Sequence, residues 1–268
     1  MFNLIKSGFV LLVMVGAFLS AGCVYHQSES VRAQSFAPHA DRKLGGVEAE
    51  QFLRARVTLL VSSDPASQPR ATNAAIRIFP HSNLGCAVAI DPRGYYLTAA
   101  HNLVHEEAYL FVASNRTISV MPARVVWRGI RRRGQPDLAI LHVPTTLEYT
   151  FAWASEVQAD EVALAVGLSW GEGKFSGFGL VGGKILNCRK SKSDVGELLV
   201  ANDLPLQSGD SGGPLVDAEG RLIGINVQGT PPVVHWVLPR RVFPMLAERP
   251  QQSWLRETIE ADVAGRSR

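Results

Sequence analysis

A serine set among glycines, Gln207-Ser208-Gly209-Asp210-Ser211-Gly212-Gly213-Pro214-Leu215, is a stretch that core packing does not account for. Glycine costs backbone entropy and adds nothing to a core, so Gly209, Gly212 and Gly213 together demand an unusual backbone path. Such a path can present Ser211 Oγ on a tight turn while the amides of Gly209 and Ser211 converge on one point. Two converging N–H donors are what the oxyanion of an acyl-transfer intermediate needs. A serine hydroxyl is a weak nucleophile, so this chemistry requires a histidine base and an acid to orient it. Without those partners, the same residues read as a glycine-rich β-turn carrying an exposed serine.

Both partners are present upstream. Leu97-Thr98-Ala99-Ala100-His101 puts a histidine at the end of a β-rich apolar run, held by the sheet but facing outward, as suits a proton-transfer group. His105, four residues on, is a competing candidate. Asp137 opens the apolar run Leu138-Ala139-Ile140-Leu141, where a carboxylate is costly to bury unless a donor such as a histidine N–H meets it. The plain alternatives are a structural histidine and an aspartate capping the turn after Pro136.

The elements that would position these residues are short strands. Apolar or alternating runs cover Ala55–Val61, Ala74–Phe79, Cys86–Ile90, Tyr95–Ala99, Ala108–Val112, Thr117–Met121 and Leu138–Val143. They are separated by turn signals, of which Asp91-Pro92-Arg93-Gly94 makes Cys86–Ala99 a hairpin. A second series covers Glu161–Val166, Gly177–Ile185, Glu197–Ala201, Leu215–Val216, Leu222–Val227 and Val233–Leu238. This spacing predicts an all-β protein of two antiparallel β-barrels of about six strands each, one over about 54–145 and one over about 155–240. From 240 to 260 the spacing of Val242, Met245, Leu246, Trp254, Leu255 and Ile259 predicts helical structure that Pro250 interrupts.

With 46% hydrophobic residues in 268, the chain can bury a large core. A net charge of +3, and an Arg131-Arg132-Arg133 run without interleaved aromatics, argue against nucleic acid as a partner. Residues 1–22 combine Lys6, an apolar run from Gly8 to Leu19 and small residues before Cys23. The run is shorter than the roughly 20 residues of a membrane-spanning helix, so it reads as an export signal. Its end resembles a bacterial lipobox, which makes Cys23 the expected lipidated N-terminus, a membrane anchor followed by a flexible tether to residue 46. Ordinary cleavage near Ala21 is the alternative. Cys86 and Cys188 would then either pair in an oxidising compartment or stay as buried thiols.

The order His101, Asp137, Ser211, in the contexts Thr98-Ala99-Ala100-His101, Asp137-Leu138-Ala139-Ile140-Leu141 and Gly209-Asp210-Ser211-Gly212-Gly213-Pro214, resembles the trypsin-like serine peptidases. The bacterial HtrA-like branch is the most similar, since Gly220-Arg221-Leu222-Ile223-Gly224-Ile225-Asn226 also resembles its strands. The resemblance spans about 54–246 and implies two six-stranded barrels with a Ser-His-Asp triad in the cleft between them, a polypeptide substrate, and neither metal nor cofactor. It also implies a primary pocket with its floor near Pro205 and Leu206 and its wall near Gly224 to Gly229, without an acid. Small or medium apolar side chains are therefore expected at the cleaved position. The C-terminal PDZ domain usual in that branch is not expected here. Asp210 replaces the asparagine common there and resembles the aspartate that pairs with a liberated N-terminal amine in zymogen-activated peptidases. Two rivals share the residues: a peptidase scaffold kept only to bind a peptide or envelope partner, and an esterase. The esterase order places histidine after serine and joins the serine to a helix, whereas here Pro214-Leu215-Val216 continues as a strand.

Overall fold

The computed structural model describes residues 11–14, 44, 46–71, 75–79, 81–114, 117–129, 135, 137–154, 157–171, 174–190, 198–230, 233–238 and 250–266. Cys23, the Arg131–Arg133 run, most of the expected leader and the side chain of Cys188 lie outside the described residues. Of the leader, Leu11–Met14 forms strand β1.

The all-β expectation holds, as two curled antiparallel sheets and a C-terminal helix. The first sheet comprises β2 (Val57–Ser63), β5 (Asn83–Asp91), β6 (Tyr95–Thr98), β7 (Glu107–Ser114), β8 (Thr117–Pro122), β9 (Arg124–Arg128) and β10 (Ala139–His142). Its order is β8-β7-β2-β5-β6-β10-β9, seven strands where about six were expected. The extra strand is β9, whose residues are exposed or half-buried along its length, so its sequence carries no core alternation. β3 (Arg70–Ala71) and β4 (Ala75–Ile78) form a small sheet with β1. The second half closes as a six-stranded barrel, β11-β12-β13-β16-β15-β14. Its strands are β11 (Val162–Gly171), β12 (Lys174–Lys190), β13 (Leu198–Asn202), β14 (Pro214–Val216), β15 (Leu222–Thr230) and β16 (Val233–Leu238).

Strands in the middle of each unit are apolar on both faces, because each face meets a different core. Along β2, β5, β6 and β10, the residues Leu60, Ala87, Ala89, Tyr96, Ala139 and Leu141 fill the first sheet's concave interior. Their neighbours Leu59, Val61, Val88, Leu97 and Ile140 point the other way. There they share a cluster with Val166, Val216, Leu222, Ile225 and Val227 of the second barrel. The period of two in a strand makes this division automatic. The second barrel's own interior holds Ala163, Ala165, Ile185, Val200, Leu204, Leu215 and Ile223. The two units thus meet through a continuous apolar joint.

Two helices border this joint. α1 (Gly46–Arg54) was not expected from the sequence, because only Ala49, Phe52 and Leu53 mark its buried face. α2 (Pro250–Arg266) begins at Pro250 rather than being interrupted by it. Proline lacks an amide hydrogen, but the first turn of a helix leaves that donor unused, so its fixed φ favours the start. The expected helical residues 240–249 lie outside the described residues. α2 lies against the first sheet, where Asp262 accepts hydrogen bonds from Tyr95 Oη at 2.8 Å and Arg124 Nη2 at 2.6 Å. The rings of Trp254 and Trp127 stack edge-on there, 4.9 Å apart.

Candidate active site

The hairpin β5–β6 turns as its residues require. Asp91 Oδ1 accepts the amide of Arg93 at 2.9 Å, and Gly94 adopts φ +88°, with Val143 O only 2.0 Å from where a Cβ would stand. β6 ends at Thr98, and a single 3₁₀ turn, Ala100–Asn102, carries His101 out of the sheet. Asp137 precedes β10, which pairs with β6. This pairing brings the acid beside the histidine although they are 36 residues apart.

Asp137 holds His101 twice. Its Oδ1 accepts the backbone amide of His101 at 2.9 Å, and its Oδ2 accepts Nδ1–H at 2.9 Å. The aspartate is buried, whereas the imidazole is 41% exposed. An ionised carboxylate only accepts, so the ring proton sits on Nδ1 and Nε2 is left with its lone pair. A group held this way can take a proton from a neighbouring hydroxyl.

His105 is placed differently. Its Nδ1 pairs with Asp64 Oδ1 at 2.9 Å, its Nε2 with the carbonyl of His81 at 2.9 Å, and its amide donates to Ser62 Oγ. Both ring nitrogens are taken up by contacts within the first unit, so neither is turned towards the serine loop as a base would have to be.

The serine loop is shaped by glycine. Gly209 and Gly212 have φ +99° and +83°, the left-handed region that other residues enter only at a cost. At Gly212 a Cβ would stand 2.0 Å from Cys86 O and 2.5 Å from Thr98 Oγ1, so the close approach of the two units depends on its absence. Gly212 N and Gly213 N donate to Asn226 O and Asp210 O, and Asp210 N donates to Gln207 O. The Gly209 carbonyl turns inward, accepting Cys86 Sγ–H at 3.6 Å. None of these bonds uses the amides of Gly209 or Ser211.

Ser211 itself is fastened to the first sheet through its carbonyl. That oxygen accepts the amide of Cys86 at 2.7 Å and the side-chain amide of Asn102 at 2.8 Å. Asn102 directly follows His101, so the serine's carbonyl is bonded to the histidine's own turn. Asn102 and Thr98 were missed by the sequence reading. The local signal was a polar residue inside an apolar, β-rich context, which alone does not distinguish a strut from a surface side chain.

Asp210 is buried, and backbone amides meet its carboxylate: Leu168 N at Oδ1 and Gln207 N at Oδ2, each at 2.6 Å. Burial raises its carboxyl above its ordinary value, and the two amides offset only part of that rise. Gly167 makes room for it, since a Cβ there would stand 2.7 Å from the carboxylate. Cys86 is a free, fully buried thiol, and burial together with nearby Asp210 pushes its pKa well up. Of the expected pocket residues, Pro205 is exposed and Leu206 is half-buried against the second barrel's core. Gly229 lies on β15 opposite Val234 of β16.

The model of the trypsin-like peptidase domain matches residues 85–225, more than half of the chain. A probable periplasmic serine endoprotease, DegP-like, from Pseudomonas savastanoi pv. phaseolicola is 27% identical over 172 residues. That match takes in 62% of this chain and 33% of the relative, so the chain spans about a third of the curated relative's length. Among solved structures, the HtrA-type protease AlgW with a decapeptide superimposes with a TM-score of 0.57 at 21% identity, over 79% of this chain and 66% of that one. The active form of the Rv3671c protease from M. tuberculosis gives 0.54 at 18% identity, over 70% and 78%. These structures share the fold, and the domain match places the histidine turn, the acid and the serine loop inside one module: the chain belongs to the trypsin-like peptidase family.

Proposed function

We propose that this chain is a serine endopeptidase that cleaves peptide bonds through an acyl-enzyme. The observation carrying the reading is the His101–Asp137 pair, with Nε2 left basic, on a turn bonded to the carbonyl of Ser211. Ser211 Oγ attacks the scissile carbonyl carbon while His101 Nε2 takes its proton. The negative charge on the carbonyl oxygen is met by the amides of Gly209 and Ser211, each donor being worth on the order of 3 kcal/mol in such sites. The C–N bond then breaks as His101 returns the proton to the leaving amine. Water adds to the acyl carbon with His101 again as base, and loss of the acid regenerates Ser211.

The amides around Asp210 support a loop that is competent without a liberated N-terminal amine, because Leu168 N and Gln207 N already occupy both carboxylate oxygens. The primary pocket is formed near Pro205, Leu206 and Gly229 and takes small or medium apolar side chains; cutting mainly after Arg or Lys in a peptide library would contradict that. The DegP-like relative is described as periplasmic. Together with the leader pattern, this supports a cell-envelope location with a lipid anchor at Cys23, which metabolic palmitate labelling that survives Cys23→Ala would rule out. The test of the activity is labelling by a fluorophosphonate probe, expected in the wild-type protein and lost in Ser211→Ala. Labelling that persists in the variant identifies another nucleophile.

A further inference from the structure

We propose that Asn102 is the brace that sets the distance between the base and the nucleophile, a positioning residue that touches neither substrate nor the reacting atoms. The inference rests on the peptidase reading above, with His101 and Ser211 as the reacting pair. Asn102 is only 2% exposed, and both hydrogens of its side-chain amide are committed. One goes to the carbonyl of Ser211 at 2.8 Å, the other to Thr98 Oγ1 at 3.1 Å. Thr98 in turn donates its hydroxyl to Cys86 O at 2.7 Å, and Cys86 N donates to the same Ser211 carbonyl. Asn102 O accepts the side-chain amide of Asn83 at 2.9 Å. The result is a closed ring of hydrogen bonds. Its members leave no choice about which end of the Asn102 amide carries nitrogen, because two acceptors face it.

The space for this side chain is provided by a second residue. A Cβ on Gly85 would stand 2.3 Å from Asn102 Nδ2 and 2.6 Å from its Cγ. Gly85 therefore leaves room for the amide, and Gly212, whose Cβ would stand 3.0 Å from the same nitrogen, does so from the serine loop. His101 follows β6 of the first sheet and Ser211 precedes β14 of the second barrel, with no covalent link between them among the described residues nearer than the chain from 101 to 211. Their relative placement depends on what crosses the joint beside them. Asn102 is bound by its backbone to the histidine's turn and by its side chain to the serine's carbonyl. A shift of about 1 Å at a reacting pair can cost on the order of a hundredfold in rate.

The test measures fluorophosphonate labelling and peptide hydrolysis for the wild-type chain, Asn102→Ala and Asn102→Asp, with thermal melts at each pH. Labelling is expected to slow by about tenfold to hundredfold in both variants at pH 8. The loss should fall on kcat, with KM for a peptide little changed, since the amide does not reach substrate. Asn102→Asp places an oxygen against two acceptors when ionised, but its protonated acid can donate to the Ser211 carbonyl. Its rate relative to wild type should therefore recover as pH falls from 8 towards 5. If Asn102→Ala does not fold, Asn102→Asp decides alone, because at low pH it matches asparagine in size and supplies one of its two donors. Folded variants that label at the wild-type rate, or a loss carried by KM with no recovery at low pH, would overturn the brace. A wild-type protein that neither labels nor cleaves would overturn the peptidase reading and the brace with it.

Discussion

His101 with Asp137 and His105 with Asp64 form two pairs with the same Nδ1–carboxylate distance, 2.9 Å, on histidines four residues apart. The acids differ in solvent. The Asp137 side chain is 10% exposed and that of Asp64 is 60% exposed, so water competes for the second and hardly for the first. The histidines differ in the other nitrogen. His105 gives Nε2 to the carbonyl of His81 and is 19% exposed, whereas His101 stands more open to solvent. A histidine–aspartate contact is therefore no signature of chemistry in itself. What separates a base from a strut is whether the far nitrogen remains available and whether the acid is dry enough to hold the ring in one tautomer.

The sharpest way to break the comparison is to remove one member of each pair. In the peptidase reading, His101→Ala should lower the rate of fluorophosphonate labelling and of peptide hydrolysis by about 10⁴-fold or more, and Asp137→Asn by about 10⁴-fold through loss of the correct tautomer. His105→Ala and Asp64→Asn should leave labelling within an order of magnitude of wild type. Their effect belongs to stability instead: about 1 kcal/mol for His105→Ala, which loses its side-chain bonds to Asp64 and His81, and less for the exposed Asp64. Denaturant titration beside the activity assay reads both. A collapse of activity in folded His105→Ala would show that the His105–Asp64 pair also acts in the chemistry.

What the sequence could and could not disclose follows the same division. The strands were readable because each face of β5, β6 and β10 meets a core, so apolar identity was written at nearly every position. The serine loop was readable because positive φ at Gly209 and Gly212 selects glycine. Asp137 was readable from its place before a buried strand. The partner of Asp210 was not, since backbone amides of Leu168 and Gln207 meet it, and any residue types could supply them. The choice between His101 and His105 turned on the His81 carbonyl, which tertiary packing alone brings near. Asn102 was hidden for a related reason: its role depends on an empty position at Gly85, 17 residues away in the chain but less than 3 Å from it in space.

Asp210 sharpens the comparison from a third side, because it is as buried as Asp137 but meets amides instead of a histidine. Burial is the largest influence on its carboxyl and raises it, and the two amide bonds oppose that rise without cancelling it. A carboxyl raised on folding binds more protons in the folded chain than in the unfolded one. Its contribution to stability is then complete below the unfolded value, about 3.9, and is lost as pH rises through the folded value. Asp210→Asn lacks this titration. The unfolding free energy of the wild type relative to that variant, read by denaturant titration, should accordingly fall as pH rises from about 4, with a slope below about 1.4 kcal/mol per pH unit. This is the smallest of the expected effects, and its sign is what matters. A difference that instead grows with pH would mean that the amides of Leu168 and Gln207 outweigh burial, so that the serine loop is held together by a stable buried anion rather than in spite of one.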